Sequence, residues 1–427
     1  MNQPLPRVAG AAGGIPRDIA VVGAGIVGMS AALYLQRDGH RVTVYDPNEP
    51  GSGTSFGNAG SISTQASLPN VTPGVLWRVP KMLRDPYGPL VIRPAYLPSV
   101  AGWLIKLALA TRPAKITSTS NALGSLLDLA EDAYRPLLRL AKAEDLVRSP
   151  GRLMLYSNDA AYARGAQARA EWKRRGIRFE ELGVGEVLEL EPALAPVFKR
   201  AVFMPDSSVV INPHALVQRF ASAFVQAGGR IVRQAVSELR RVAGHRHVIT
   251  DAGSYPTDLA IVAAGSWSKP LCDRLGIRIP LESERGYHLM FPALTRPLTR
   301  GVLTDKFVHL VPMAMGVRLT SGVEFAGLNA PPDFRRIYRI AQLARELLPE
   351  LGTTPTSEWL GFRPSLPDAL PVIGSVPGHE DLILCFGHQH IGLTLGPISG
   401  KIVADLVAGR DPPVDTSPFR VHRSFFH

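Results

Sequence analysis

A short apolar run, Ile19-Ala20-Val21-Val22, is followed at once by glycines at 23, 25 and 28, and that juxtaposition constrains the fold more than any other stretch. The run suits a strand buried in a parallel sheet. In G-x-G-x-x-G spacing, Gly23 permits a tight turn and Gly25 lets backbone approach a pyrophosphate. Gly28 lets the following helix pack closely on the strand. Ala24, Ile26 and Val27 complete the turn, whose N–H groups face the phosphates. Small residues Ser30, Ala31 and Ala32 hold the helix near the sheet, and Gly39 ends it. A second strand, Arg41-Val42-Thr43-Val44-Tyr45, delivers Asp46 and then Pro47 where a ribose-binding acid is expected. The whole reads as a dinucleotide-binding βαβ unit, with a purely structural βαβ turn as the alternative.

With 427 residues the chain is long enough for two domains sharing a large interface. A composition of 45% hydrophobic and 19% charged residues excludes long disorder. Two cysteines, Cys272 and Cys385, exclude a disulfide framework and a cysteine-built metal site, and a reducing cytoplasmic setting fits. The Gly/Ala/Pro-rich stretch before Ile19 has no apolar core, so it reads as a loose tail and not as a signal peptide. The charge is +11, from 47 basic and 36 acidic residues. No basic run or recognition module accompanies it, so nucleic acid is not expected as a partner. A diffuse basic surface would instead favour an anionic cofactor and carboxylate substrates.

No segment is long enough for a membrane span. The stretch from Val75 to Arg112 carries Trp77, Tyr87, Tyr96 and Trp103, and its best helix, Val100 to Leu109, is apolar apart from Lys106. Burial against the rest of the molecule is the favoured reading. Peripheral contact with the inner face of the cell membrane is the other.

The fold class expected is α/β: a Rossmann-like cofactor domain with an interleaved substrate domain built on a mixed β-sheet plus helices. The cofactor domain is expected to comprise 1–66, 201–279 and 358–427, and the substrate domain 67–200 and 280–357. In the former, Asn212 to Ala227 reads as an amphipathic helix with Val217, Phe220, Ala221 and Phe224 on one side. Leu259 to Val262 reads as a further buried strand, ending in a turn with Ala264, Gly265 and Trp267. In the latter, Leu123 to Ala143 reads as helical, and Gly286 to Phe291 as a strand roofing the site.

The loop after Asp46 holds Thr54, Ser55, Asn58, Ala59, Gly60 and Ser61, small or hydroxylated residues that let N–H groups approach a cofactor. Near the C-terminus, an apolar strand from Leu382 to Phe386 turns through Gly387, His388, Ile391, Gly392, Leu393 and Thr394 into a helix. Its positive end would stabilise negative charge on a reduced flavin ring.

The glycine triplet, the Thr54-Ser55 to Gly60 loop, Val262 to Ser268, Gly361-Phe362-Arg363-Pro364 to Asp368 and Gly387-His388 to Thr394 resemble the D-amino-acid oxidase superfamily of FAD enzymes. The chain is most similar to its bacterial D-amino-acid dehydrogenase branch. The resemblance implies oxidative deamination of D-amino acids, with D-proline or hydroxy-D-proline types included, by hydride transfer to flavin N5. Electrons would pass to a quinone-type acceptor. Arg363 would clamp the substrate carboxylate, with an ion pair to Asp368 or Glu358 as the bland alternative. Tyr287 or His288 would contact carboxylate or amine. His388 would lie against the flavin, and His390 would be incidental. Val236 joins the cofactor residues. Where some relatives carry a flavin-linking cysteine this chain has Gly361, so the FAD is expected to be non-covalent. A glycine- or sarcosine-type oxidase releasing peroxide and a flavin-binding scaffold subunit stand as alternatives.

Overall fold

The computed structural model describes residues 15–68, 79, 82–85, 87, 88, 90–423 and 426. Trp77 and the stretch before residue 15 lie outside the described residues. The βαβ unit forms as its pattern dictates: strand Asp18–Val22, helix Ile26–Arg37, strand Arg41–Tyr45. These strands sit in a six-stranded sheet ordered Arg230–Val232, Arg41–Tyr45, Asp18–Val22, Leu259–Val262, His379–Phe386, Val372–Val376. Every pairing is parallel except the last. The close packing that Gly28 permits is real: a β-carbon there would stand 1.9 Å from the Gly23 carbonyl oxygen.

The amphipathic helix runs from Pro213 to Gln226, and the Asn212 side chain caps it by accepting from Ala215 N at 3.0 Å. Its Val217, Phe220 and Phe224 are buried with Leu33, Leu35 and Ile402 in one core that also takes in helix Gly392–Val407. Phe220 and Phe224 are fully buried, each contributing on the order of 2 kcal/mol.

A nine-stranded mixed sheet forms the second layer. Along it Ser357–Ser365, Glu282–Phe291, Gly316–Phe325, His309–Met313, Gly301–Thr304, Arg152–Tyr156, Arg200–Met204 and Glu180–Leu182 are neighbours, and Leu90–Ile92 pairs with Gly316–Phe325. Period-two alternation gives it two distinct faces. On one, Leu289, Phe291, Leu310 and Leu319 pack under Ile337, Ile340, Ala344 and Leu347 of helix Arg335–Leu347. On the other, Met290, Val311 and Met313 pack against Val209 and Ala59 of the cofactor-side loop.

Sheet membership departs from two of the expected domain edges. Arg200–Met204 and Ser357–Ser365 pair within the nine-stranded sheet, although the expected edges assigned nearly all of both to the cofactor domain. Helices Pro113–Leu127 and Ala130–Leu140, assigned to the substrate domain, bury Leu123, Leu126, Tyr134 and Leu137 in the core around helix Ile26–Arg37. The helices expected from Leu123 to Ala143 are present, with a break near Asp128. There Arg175 Nη2 donates to Gly124 O at 3.2 Å and pairs with Asp128, taking up the end of the first helix.

The apolar helix is buried on one face only, with Leu104 and Leu107 half-buried beside its two buried residues. Helix Leu97–Ala110 buries only Val100 and Trp103, with Trp103 against Phe325 at 5.2 Å. Leu97, Ile105 and Leu109 face outward, Ile105 at 62% exposure. No helix among the described residues is long and apolar enough to cross a membrane.

Candidate cofactor and substrate site

A cavity of about 370 Å³ runs from the glycine turn to the C-terminal turn. Gly23, Gly25, Ile26 and Val27 line one stretch, where the ladder of helix Ile26–Arg37 starts with Met29 N donating to Gly25 O at 2.9 Å. The first N–H groups of that helix therefore have no carbonyl of their own turn to bond. One is met by Ser55, whose Oγ accepts from Ile26 N at 3.0 Å. Asp46, Pro47, Asn48 and Glu49 line the next stretch. The Asp46 carboxylate accepts from Ala24 N at 2.8 Å and Asn48 N at 2.9 Å. Burial pushes its pKa up while these two bonds oppose the rise.

Val236, Ala264, Gly265 and Trp267 form one wall, with Thr54, Ser55 and Asn58 also on the lining. His388, Gln389, Gly392 and Leu393 close the far end. An elongated, glycine-edged space with a helix N-terminus and a half-buried acid fits a flavin dinucleotide. His388 is buried, its Nε2 2.9 Å from Ser399 Oγ, and desolvation pushes its pKa down to about 3.

The remaining expected cofactor residues stand behind this lining. Ala24 holds Asp46, and Gly28 backs onto Gly23. Ala59 packs on the sheet, and Gly60 O accepts from Val210 N at 2.7 Å. Thr394 Oγ1 accepts from Ser63 N at 2.9 Å and donates to Ser61 O at 3.4 Å, tying the loop to the helix. Gly387 turns beside Leu366, and Ile391 caps helix Gly392–Val407.

Arg363 lies one residue before Pro364, which lines the cavity. Its side chain crosses Gly286, and Nη1 donates to Gly322 O at 3.0 Å. Neither bland partner takes it: Asp368 pairs with Arg423 at 2.7 Å, and Glu358 accepts from the Tyr338 hydroxyl. Among the described residues no carboxylate lies within ion-pair distance of it. Glu284, its register partner, is the acid that faces it. Desolvation lowers the Arg363 pKa and raises that of Glu284, and their attraction opposes both shifts.

Tyr287 and His288 point to opposite faces of their strand, and this corrects the expectation for the tyrosine. Tyr287 is buried on the side of helix Arg335–Leu347, donates to Glu324 Oε2 at 2.5 Å and accepts from Asp333 N at 3.1 Å. It therefore stands behind the sheet, not over the substrate. His288 is on the cofactor side, stacked 5.1 Å from Trp359, with Nδ1 donating to Gly57 O at 3.3 Å. Burial and then Arg318 push its pKa down to about 3.

The sequence reading missed several residues. Asn48, Glu49, Ala235, Leu271 and Gln389 line the cavity without any motif to mark them. Cys385 lines it too, although burial pushes its thiol up to about 12, in keeping with the inert role expected from its apolar strand. His390 is exposed at the turn and does not line the cavity, although surrounding protein and then the Arg363 charge lower its pKa to about 4.

The family model described as "DAO: FAD dependent oxidoreductase" matches residues 18–406. The chain belongs to that family. Its cofactor is accordingly FAD, and it is an FAD-dependent oxidoreductase. A protein of Bradyrhizobium diazoefficiens named D-amino-acid oxidase is 35% identical over 94% of this chain and 98% of its own. A second from the same organism, named D-amino acid dehydrogenase, is 31% identical over 95% of this chain and 98% of its own. Glycine oxidase from Geobacillus kaustophilus superposes with a TM-score of 0.73 at 23% identity, covering 95% of this chain and 99% of that one. L-proline dehydrogenase from P. horikoshii gives 0.74 at 18%, covering 96% and 98%. These two superpositions speak for a shared fold.

Proposed function

We propose that this flavoenzyme oxidises D-amino acids, D-proline or hydroxy-D-proline types included, to imino acids that hydrolyse to 2-oxo acids. Electrons pass on to a quinone-type acceptor. The observation that carries the reading is the Arg363 fork, laid over Gly286 beside the flavin end of the cavity with no carboxylate bonded to it. FAD, when bound, supplies a two-electron acceptor for the hydrogen on the substrate's Cα.

The protein's part is binding, orientation and exclusion of water. Arg363 offers parallel donors to two carboxylate oxygens, and its desolvated setting strengthens that attraction. Held there, the substrate presents Cα at a fixed height above the cavity floor. His288, His309 and His390 remain neutral at ordinary pH, with pKa values of about 3 or 4. Imidazoles so depressed are weak bases, so the ammonium proton leaves to water. The positive end of helix Gly392–Val407 favours negative charge at the far end, beside the neutral His388. At Gly361 a β-carbon would stand 1.8 Å from the Trp359 ring. Gly361 offers no thiol for a flavin link, which supports non-covalent FAD.

The proposed setting is the cytoplasm, with helix Leu97–Ala110 resting on the inner face of the cell membrane. Its outward Leu97, Ile105 and Leu109, followed by the exposed Arg112, suit an anionic lipid surface. The relative named as an oxidase favours a second reading, in which oxygen reoxidises the flavin and peroxide leaves. Anaerobic bleaching by D-amino acids tests the first half of the proposal. Reoxidation by a quinone analogue faster than by oxygen supports the dehydrogenase, and rapid stoichiometric peroxide makes it an oxidase.

A further inference from the structure

Two guanidiniums from well-separated strands of the nine-stranded sheet, Arg363 and Arg152, share its cofactor-facing surface with Arg318. Arg363 comes from Ser357–Ser365, an outer strand, and crosses Gly286 to reach Gly322 O on the strand Gly316–Phe325. The next strand carries His309, in register with Thr320 and on the face opposite Leu310. Beyond it lies Gly301–Thr304, and then Arg152–Tyr156. Arg152 is in register with Gly301 and has the parity of Met154, opposite to Leu153 and Leu155 on the helix-covered face. His309 therefore sits between the two, and both guanidiniums add to the burial that depresses it.

Arg152 has no acid to meet. Among the described residues its one hydrogen bond is a weak one, Nη2 to Met204 Sδ at 3.6 Å, and no carboxylate there pairs with it. Its Nε is buried without a partner, as is His309 Nε2. Gln65 Nε2 is also a buried orphan, and the Gln65 backbone accepts from Trp172, which packs with Met204 and Tyr156 beside Arg152. An uncompensated guanidinium in such a place is costly unless an anion completes it. Burial already holds Arg152 down to about 10.

The charges count the same way. Arg363 faces one acid, Glu284, and Arg318 on the same face is taken up by the carbonyls of Phe56 and Asn58. Among the described residues Arg152 has neither acid nor carbonyl, so a zwitterionic amino acid leaves Arg152 unmatched. A substrate with a second carboxylate matches it. We infer that the preferred substrates are acidic D-amino acids, such as D-aspartate or D-glutamate, with Arg363 holding the α-carboxylate while Arg152 and His309 receive the side-chain carboxylate. This rests on the proposed D-amino-acid oxidation and names its substrate class.

The test is anaerobic reduction of the FAD-loaded enzyme by D-alanine, D-aspartate and D-glutamate. The expected result is a kcat/KM for one dicarboxylic substrate at least tenfold above that for D-alanine. Arg152→Met should lower the ratio of dicarboxylate to alanine kcat/KM about 100-fold, through KM, and Arg152→Lys should recover part of it. Inhibition of the unaltered enzyme needs no variant: glutarate or succinate should compete at least tenfold more tightly than propionate. Preference for D-alanine, or glutarate no tighter than propionate, overturns the inference and leaves D-amino-acid oxidation standing. Flavin that no D-amino acid bleaches removes both.

Discussion

Arg363 occupies the space that a side chain at Gly286 would fill: a β-carbon there would stand 2.3 Å from Nη2. The clamp and its floor are thus one device, a long cation on one strand and a missing side chain on the next. Arg363→Met should retain yellow FAD and lose about 1000-fold in kcat/KM for D-amino acids, with KM carrying most of the loss. Steady-state kinetics on the flavin-loaded variant check this. Filling the floor with Gly286→Ala should displace the guanidinium and weaken capture in the same direction.

Tyr287→Phe separates the two neighbours on that strand. The hydroxyl serves Glu324 and Asp333 behind the sheet, so its removal should cost about 1–2 kcal/mol of stability. Urea unfolding reads the loss. A kcat/KM that falls tenfold or more while stability holds would put the tyrosine back over the substrate.

Gly28→Ala should impair cofactor retention before it affects substrate binding. The added methyl would stand 1.9 Å from Gly23 O, forcing helix Ile26–Arg37 away from the strand it starts beside. Flavin absorbance relative to protein after gel filtration measures retention, and full occupancy would contradict the packing account.

Acid should destabilise the fold earlier than its carboxylates require. His288, His309 and His388 each have pKa values near 3 in the fold against 6.5 when free. The unfolded chain therefore binds more protons between these limits, and stability falls as pH drops from about 6.5 toward 3. Each imidazole contributes a slope of about 1.4 kcal/mol per pH unit in that window. Denaturant midpoints measured across it should fall steadily. A flat profile down to pH 4 would mean that these rings are not buried neutral.

Ile105→Asp should reduce sedimentation with vesicles of phosphatidylethanolamine and phosphatidylglycerol, because Ile105 is the most outward residue of the exposed apolar stripe in helix Leu97–Ala110. Equal sedimentation of variant and parent removes this helix as the contact.

Local signals carried the cofactor half of the molecule. Gly23, Gly25 and Gly28 between two apolar runs, with Asp46 at the end, admit few folds, and the cavity follows them closely. The C-terminal turn was legible for the same reason: strand, glycines and helix lie within one continuous segment. The substrate half was not, because its sheet joins strands as far apart as Arg152–Tyr156 and Gly301–Thr304. Which of Tyr287 and His288 faces the cofactor depends on the pleat, and a one-residue change of register would exchange them. Arg152 and His309 carry no motif, and only pairing through Gly301–Thr304 brings them to one surface. Burial of helix Leu97–Ala110 was legible for one face only, because an apolar helix signals burial without naming what buries it.

The most direct test is an anaerobic titration of the purified, FAD-loaded protein with matched D- and L-amino acids, followed by flavin absorbance. Full bleaching by the D-enantiomers, lost in Arg363→Met, is the expected result. A flavin that stays oxidised with every D-amino acid, or that L-enantiomers reduce equally well, would contradict it.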